Sequence, residues 1–392
     1  MTKAKNLLLA FAMLSSVVLS SCGGGVQSVT HGDGDTVEFK YAELLQVVDY
    51  GDYAVARIAD PWKKGRTLHT YILVPEKSGD VDGLPEGTVI HTPLTRAVPF
   101  TSVHSSLIMS LERQTSIAGV ADLQYIGIPY IKEQCSNGSI ADVGNAMNPN
   151  VERIIDISPD ALLVSPFENS GGYGKVEETG IPIVECADYM ETTALGRAEW
   201  IKFYGMLLGA ESTADSLFCV IDSSYNALKT IVSKETKRPS ALIDKMTGAV
   251  WYLPGGHSTF GTLLADAAID YAFADDNHSG SLSLSFETVL EKCGDADIWL
   301  FRYSSNHPIT YAELLSEHRG YLEMNPFRTR QCYGCNVNTS MFYEEGAFRP
   351  DFLLSDFIRI AYPDKKLSGQ PHYFKRLPVH DTQETDKNTN DD

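Results

Sequence analysis

Residues 148–166, "NPNVERIIDISPDALLVSP", are written a second time from Leu284 as "LSFETVLEKCGDADIWLFR". A constant offset of 135 residues sets Glu152 on Glu287, Ile154 on Val289, Ile155 on Leu290, Asp156 on Glu291, Asp160 on Asp295 and Ala161 on Ala296. In each copy, apolar residues three or four apart make one face of a short helix, and the unbroken apolar run that follows makes a strand buried on both faces. A chain with the same helix, turn and buried strand in both halves is built from two related α/β lobes.

Outward from the first copy, "VIHTPLTRAVPFTS" reads as a buried strand entering a loop, "SSLIMSLER" as a helix, "SIAGVAD" as a strand, "GYGKVEETG" as a helix and "IPIVECA" as a strand. Short helices between continuous apolar runs imply a parallel sheet covered on both sides. Before this lobe, "YAVARIAD" and "RTLHTYILVP" alternate with turns and predict an antiparallel ribbon. After it, "LGRAEWIKFYGMLLG" is a helix ending at Gly209, and "ESTADSLFCVIDSSYNALKTIVSKE" runs on without Gly or Pro. Its Leu217, Ile221, Tyr225, Leu228 and Val232 form one buried stripe on a helix of roughly 35 Å, long enough to connect two lobes. The α/β pattern then restarts: "SALIDK", "AVWYLP" and "IDYAFAD" read as strands, "GGHSTFGTLLADAA" as a loop into a helix, and "TYAELLSE" and "DFLLSDFIRIAY" as closing helices. The fold class is α/β: two Rossmann-like lobes with parallel sheets, joined by one long connecting helix, with a ligand cleft between them. The expected division is a signal peptide over 1–22, a flexible tether over 23–36, the ribbon and first lobe over 37–192, connecting helices over 193–236, the second lobe over 237–377 and a polar tail over 378–392.

The 392-residue chain carries a net charge of −19 and has no basic run, which excludes sequence-independent nucleic-acid binding. Lys3 and Lys5 precede the apolar run "LLLAFAMLSSVVL", which is too short for a membrane span, and Leu19-Ser20-Ser21-Cys22 follows. That box resembles a bacterial lipoprotein signal with Cys22 as the lipidated residue; the plainer alternative is a secretory peptide cleaved nearby. Either way the chain is exported. Without an acidic cluster after Cys22, the expected place is periplasm-facing on a lipid anchor. The six remaining cysteines are too widely spread to spell a disulfide framework, and Cys332-Tyr-Gly-Cys335 has redox spacing without a helix opening at its second cysteine.

Catalytic signatures are missing. There is no G-x-S-x-G elbow, no P-loop and no H-E-x-x-H helix, and "GGYGK" puts Val176 where a phosphate loop needs Ser or Thr. An enzyme is therefore the minority reading, and no cofactor or metal of its own is expected. An enzyme on a similar two-lobed scaffold is the rival, and it would need cysteines or histidines converging on the cleft.

Lipobox, ribbon, lobe, long helix and second lobe together resemble the substrate-binding lipoproteins of ABC importers for iron complexes and cobalamin, the class with a rigid helical connector. The matching stretches are "DVGNAMNPNVERIIDISPDALLVSP", "LGRAEWIKFYGMLLG", "WYLPGGHSTFGTLLADAAI" and "SFETVLEKCGDADIWL", within roughly residues 85–375. The resemblance implies a monomer that captures a bulky chelate (ferric siderophore or haem, with cobalamin as the alternative) and delivers it to a permease with its ATPase. A surface lipoprotein working with an outer-membrane receptor is a further alternative.

A chelate needs flat aromatic walls and charge partners at strand ends. The candidates are Phe100, Ser102, His104, Tyr125, Asn145, Phe167 and Asn169 in the first lobe, and Lys245, Trp251, Tyr252, His257 and Arg302 in the second. "SVHSS" and "GGHST" open corresponding helices, which suggests His104 and His257 as a pair of axial ligands for haem iron. Each candidate has a plainer role: Phe100 in the core, Asn145 as a helix cap, and only one of Trp251 and Tyr252 facing the cleft, because strand residues alternate. Arg197 and Glu199 read as structural anchors of the connector. The resemblance also implies an acidic residue at each lobe tip received by permease arginines, here Glu168 and Glu287.

Overall fold

The computed structural model describes residues 34–168 and 172–378. The expected signal peptide, Cys22, most of the tether, Asn169 and nearly all of the polar tail lie outside the described residues.

The expected N-terminal ribbon is a five-stranded sheet. Strands β1 (Asp35–Val37), β2 (Leu45–Asp49), β3 (Ala54–Ala59) and β4 (Thr67–Pro75) run antiparallel, and β5 (Thr88–Thr92) lies parallel to β4. Alternation divides β4 between two cores: Tyr71 and Leu73 join the main core, while Ile72 and Val74 pack with Tyr53 and Val55 in a small cluster under Val81 and Leu84. Strand β1 starts inside the stretch read as tether. Between β1 and β2, the amides of Lys40, Tyr41 and Ala42 donate to the Glu199 carboxylate at 2.7–3.0 Å, and those of Glu43 and Leu44 donate to Glu191 at 2.9–3.1 Å. Both carboxylates are buried. Five backbone donors, which would otherwise be left unpaired beside a core, are satisfied by two side chains.

"VIHTPLTRAVPFTS" is two strands, not one. Pro93 cannot donate to a ladder and ends β5; the chain then enters the first lobe as β6 (Ala97–Pro99). The lobe continues through α1 (Ser102–Ser110), β7 (Gly119–Val120), α2 (Pro129–Ser136), β8 (Ala141–Asp142), the small hairpin β9 (Gly144–Asn145) and β10 (Asn148–Pro149), α3 (Val151–Ile157), β11 (Ala161–Val164) and β12 (Ile183–Glu185). Strand β11 lies between β6 and β12, all parallel, and β7 pairs parallel with β8. The expected helix at "GYGKVEETG" is a 3-10 turn, Gly174–Thr179, closed by Gly180 at φ 71°. Gly174 and Gly180, both in the left-handed region, bound the segment and keep the turn from extending into a helix.

The connector is α4 (Ala194–Glu199), α5 (Ile201–Leu208) and α6 (Glu211–Val232), with Gly209 in the left-handed region at φ 59° closing α5. Helix α6 buries Ala214, Phe218, Ile221, Tyr225 and Val232 along one stripe. The second lobe comprises β13 (Ala241–Ile243), β14 (Met246–Thr247), β15 (Val250–Pro254), α7 (Thr259–Asp266), β16 (Ser281–Leu284), α8 (Phe286–Cys293), β17 (Ile298–Tyr303), α9 (Tyr311–Glu317), α10 (Asn325–Arg328), β18 (Cys332–Asn336), α11 (Phe342–Glu345), α12 (Pro350–Ala361) and β19 (Lys375–Arg376). Strands β13, β17 and β18 are parallel, with β19 antiparallel at the edge, whereas β14, β15 and β16 form a separate antiparallel sheet. "IDYAFAD" contributes only one parallel bridge, Ser240 to Asp270, because the chain turns at once, with Ala274 N–H on Tyr271 O and Asp276 N–H on Phe273 O. The repeat is present as helix and strand in both lobes: α3 and α8 begin 135 residues apart, and β11 and β17 follow them.

Candidate functional site

In open parallel sheets, ligands sit beyond the carboxyl ends of the strands. Beyond β6 and β11 the first lobe carries an open cavity of about 870 Å³, within the range of pockets that hold a small molecule. Its walls include Phe100, Met147, Asn150, Phe167 and Tyr173. Phe100 is held by its N–H on Leu163 O, 2.9 Å. Asn150 caps α3 by accepting from Arg153 N–H, and Tyr173 donates to Glu185 Oε1 at 2.9 Å. Burial, together with that carboxylate, pushes the Tyr173 phenol far above its usual range, so it stays a neutral donor.

A second cavity, of about 280 Å³, lies between elements of both lobes. Val103 of α1, Arg197 of α4, Phe260 and Leu263 of α7, Arg302 of β17 and Phe342 of α11 all reach it. Two guanidinium groups line this apolar space, each fixed by a carboxylate. Arg197 Nε donates to Asp188 Oδ2 at 3.1 Å; Arg302 Nε donates to Asp244 Oδ1 at 2.9 Å, and its Nη2 takes the other oxygen. The Asp244 backbone adopts the left-handed region, φ 55°, at the turn out of β13. Arg302 also stands 5.7 Å from the centre of the Phe342 ring. Asp188 serves three donors, being also bonded to His104 Nε2 at 3.0 Å and Tyr204 OH at 2.9 Å.

Several sequence-predicted residues are placed elsewhere than the cleft. His104 is 2 % exposed, with Nδ1 on Thr101 Oγ1 at 2.8 Å and Nε2 on Asp188, so neither ring nitrogen is open to an iron. The pairing with His257 also fails by register. The helix caps are Thr101 and Ser258; His104 stands three residues inside its helix, whereas the exposed His257 stands one residue before its cap. Trp251 is fully buried, its Nε1–H donating to Ile243 O at 2.9 Å among Trp299 and Tyr321, so it belongs to the core. The alternation of β15 turns Tyr252 outward instead, 44 % exposed. Lys245 is taken up by an ion pair with Glu317.

Phe100 and Phe167 line the first-lobe cavity and Arg302 the interlobe one. Ser102 is the first residue of α1 and half-buried, and Tyr125 is exposed on a 3-10 turn. Asn145 is no helix cap: its side chain ties the β9–β10 hairpin, with Nδ2 on Asp122 and Oδ1 accepting from Met147 N–H. Glu168 and Glu287 are exposed; Glu287 lies in the first turn of α8, whose backbone amide and Ser285 hold its carboxyl below the usual range. Sequence reasoning missed Arg197 as a cavity residue, together with Phe260 and Phe342. The available signal was an arginine inside the apolar run "ALGRAEWI", which needs an acidic partner, with Asp188 nine residues before it.

Among the described residues no group of three or more His, Cys, Asp or Glu side chains could hold a metal. Cys332 and Cys335 lie on opposite faces of β18 as free thiols, and burial pushes them up to about 12 and about 11, which leaves them unreactive.

The sequence pattern of the family described as "Periplasmic binding protein" matches residues 115–336, more than half of the chain. The chain belongs to the periplasmic binding protein family. Among curated proteins, this periplasmic binding protein is 26 % identical to an uncharacterized lipoprotein of Methanocaldococcus jannaschii over 307 residues, 76 % of this chain and 72 % of that one. A second lipoprotein of the same organism is 24 % identical, covering 83 % of each chain. Among solved structures it is similar in fold to a periplasmic haem-binding protein from Pseudomonas aeruginosa, with TM-score 0.57 and 15 % identity over 74 % of this chain and 99 % of that one. It is also similar to a protein of an ABC-type ferric hydroxamate transport system from Saccharomonospora viridis, with TM-score 0.52 and 18 % identity over 70 % and 94 %. The two-lobed fold of the periplasmic binding protein thus brings its two arginines, carried on the connector and on the second lobe, to the space between the lobes.

Proposed function

We propose that this periplasmic binding protein captures an anionic metal chelate, a ferric siderophore or haem, between its lobes and hands it to an ABC permease. In this reading it is a lipoprotein held to the membrane through Cys22, with Glu168 and Glu287 meeting the permease. The observation that carries the reading is the pair Arg197 and Arg302 at an apolar, aromatic-walled pocket, each guanidinium already oriented by a carboxylate. Arg197 and Arg302 belong to the pocket lining, whereas Asp188 and Asp244, which orient them, stand outside it, so the site favours a ligand that brings negative charge. Two structural relatives, a periplasmic haem-binding protein and a protein of a ferric hydroxamate transport system, support the same class of cargo.

The test is to incubate the mature protein with haemin, a ferric catecholate or cyanocobalamin, remove the excess, and record the absorption spectrum and mass. One haemin or catecholate retained per chain is the expected result; retention of none of the three overturns the reading. Arg302→Ala is expected to weaken retention about tenfold to a hundredfold, the size of a lost charge-assisted hydrogen bond. Glu287→Arg is expected to leave retention unchanged while lowering uptake in cells that depend on this protein, and unchanged uptake would remove Glu287 from the docking surface.

A further inference from the structure

Helix α11 and the turn after it belong to the second lobe, yet they pack against the first. Phe342 and Phe348 of this segment are buried, and Glu344 and Phe348 lie beside Ser106, Leu107 and Ser110 of α1. Glu344 is the unusual member. It is an acidic side chain only 5 % exposed, and its Oε1 accepts the backbone N–H of Gly127, in the first lobe, at 2.9 Å. Gly127 does not occupy the left-handed region, so its backbone angles do not call for glycine. Proximity does: a Cβ at this position would stand 2.7 Å from the Glu344 oxygen.

The interlobe cavity is therefore bridged on two sides. On one side is the segment that enters the connector, where Thr259 Oγ1 donates to Glu191 O at 2.8 Å and Thr262 Oγ1 to Thr192 O at 3.1 Å, backed by continuous core. On the other is the face between α1 and α11 with the Glu344–Gly127 bond. Between them is a cleft of about 280 Å³, below the ~300–1,000 Å³ of pockets that engulf a drug-sized ligand. A chelate as large as haem enters only if one bridge yields. The connector is covalently continuous with both lobes, whereas the α11 side, although Phe342 and Phe348 share one core with Leu107 of α1, is held by non-covalent contacts alone.

We propose that Glu344 and Gly127 form a latch that keeps the interlobe pocket narrow in the unloaded protein, and that residues 341–349 move off α1 to admit the solute. This rests on the reading that the solute occupies that pocket. An amide-to-carboxylate hydrogen bond is of a size to shift such a closed–open equilibrium by roughly ten- to a hundredfold.

Hydrogen–deuterium exchange on the unloaded mature protein tests the latch without any ligand. In Glu344→Ala and Gly127→Ala, exchange is expected to rise tenfold or more in peptides covering 126–128 and 341–349, with β11 and β17 unchanged. Glu344→Gln, whose side-chain carbonyl still accepts from Gly127, is expected to stay near the unsubstituted protein. Unchanged exchange in Glu344→Ala overturns the latch; so does acceleration spread over both lobes, which would make Glu344 an ordinary core group. Stopped-flow mixing with haemin separates the two readings. Faster association in Glu344→Ala supports both, whereas local opening with no haemin bound by any variant keeps the latch and removes the haem reading.

Discussion

Replacing Asp188 with alanine is expected to remove about 3–5 kcal/mol of folding stability, the usual cost of stranding a buried charge. Asp188 is 1 % exposed and accepts from His104, Arg197 and Tyr204 at once. Burial alone would raise its carboxyl; His104 and Arg197 hold it below the usual range instead. For His104, burial favours the neutral ring, but the neighbouring Cys186 sulfur and the Asp188 carboxylate outweigh it and raise the imidazole to about 10. The pH dependence follows from these directions. His104 binds its proton more tightly folded than unfolded, so its contribution is complete below 6.5 and is lost as pH rises through about 10. Asp188 contributes above its ordinary 3.8 and loses that contribution as pH falls through its lower folded value. Urea unfolding at pH 7, 8.5 and 10 should show the unsubstituted protein weakening steadily, and Asp188→Ala starting lower with a flatter slope. A variant within 1 kcal/mol of the unsubstituted protein at pH 7 would refute the charged network.

Trp251→Ala should cost a similar amount by a different route. The indole is fully buried, and its removal leaves a cavity among Trp299, Tyr321 and Phe286 while orphaning the Ile243 carbonyl. Large-to-small changes of this kind cost about 3–5 kcal/mol. Tyr252→Ala, one residue along and facing outward, should change stability by no more than about 0.5 kcal/mol. Urea midpoints followed by far-ultraviolet circular dichroism compare the two directly, and equal losses would place both rings in the same environment.

These two residues also show where the sequence is readable and where it stops. The alternation of β15 requires that Trp251 and Tyr252 face opposite ways, but which one faces inward depends on β16 and on Trp299, forty-eight residues away in the chain. The repeated helix and strand were legible because their signal is local: an apolar period of three to four, then a continuous run. The stripe on α6 was legible for the same reason. His104 looked like a loop ligand because its partner Asp188 is 84 residues distant. Arg197 looked like an anchor, and it is one, through that same Asp188; that its guanidinium also lines the cavity depends on α7 and α11, which no local pattern places beside α4. Phe342 and Glu344 gave no signal at all, since their roles arise only when a second-lobe segment meets α1.

The strip of backbone from Lys40 to Leu44 has a mechanical meaning. It follows directly on β1, where the described chain begins, and its five amides are gripped by Glu191, just before the connector, and by Glu199 within it. A pull on the chain from its N-terminal side is therefore loaded onto α4 and shared along the helices that run to both lobes, not onto the strands that surround the cavities. Strain entering at the first described residues is thus carried past the walls of both cavities and into the helices.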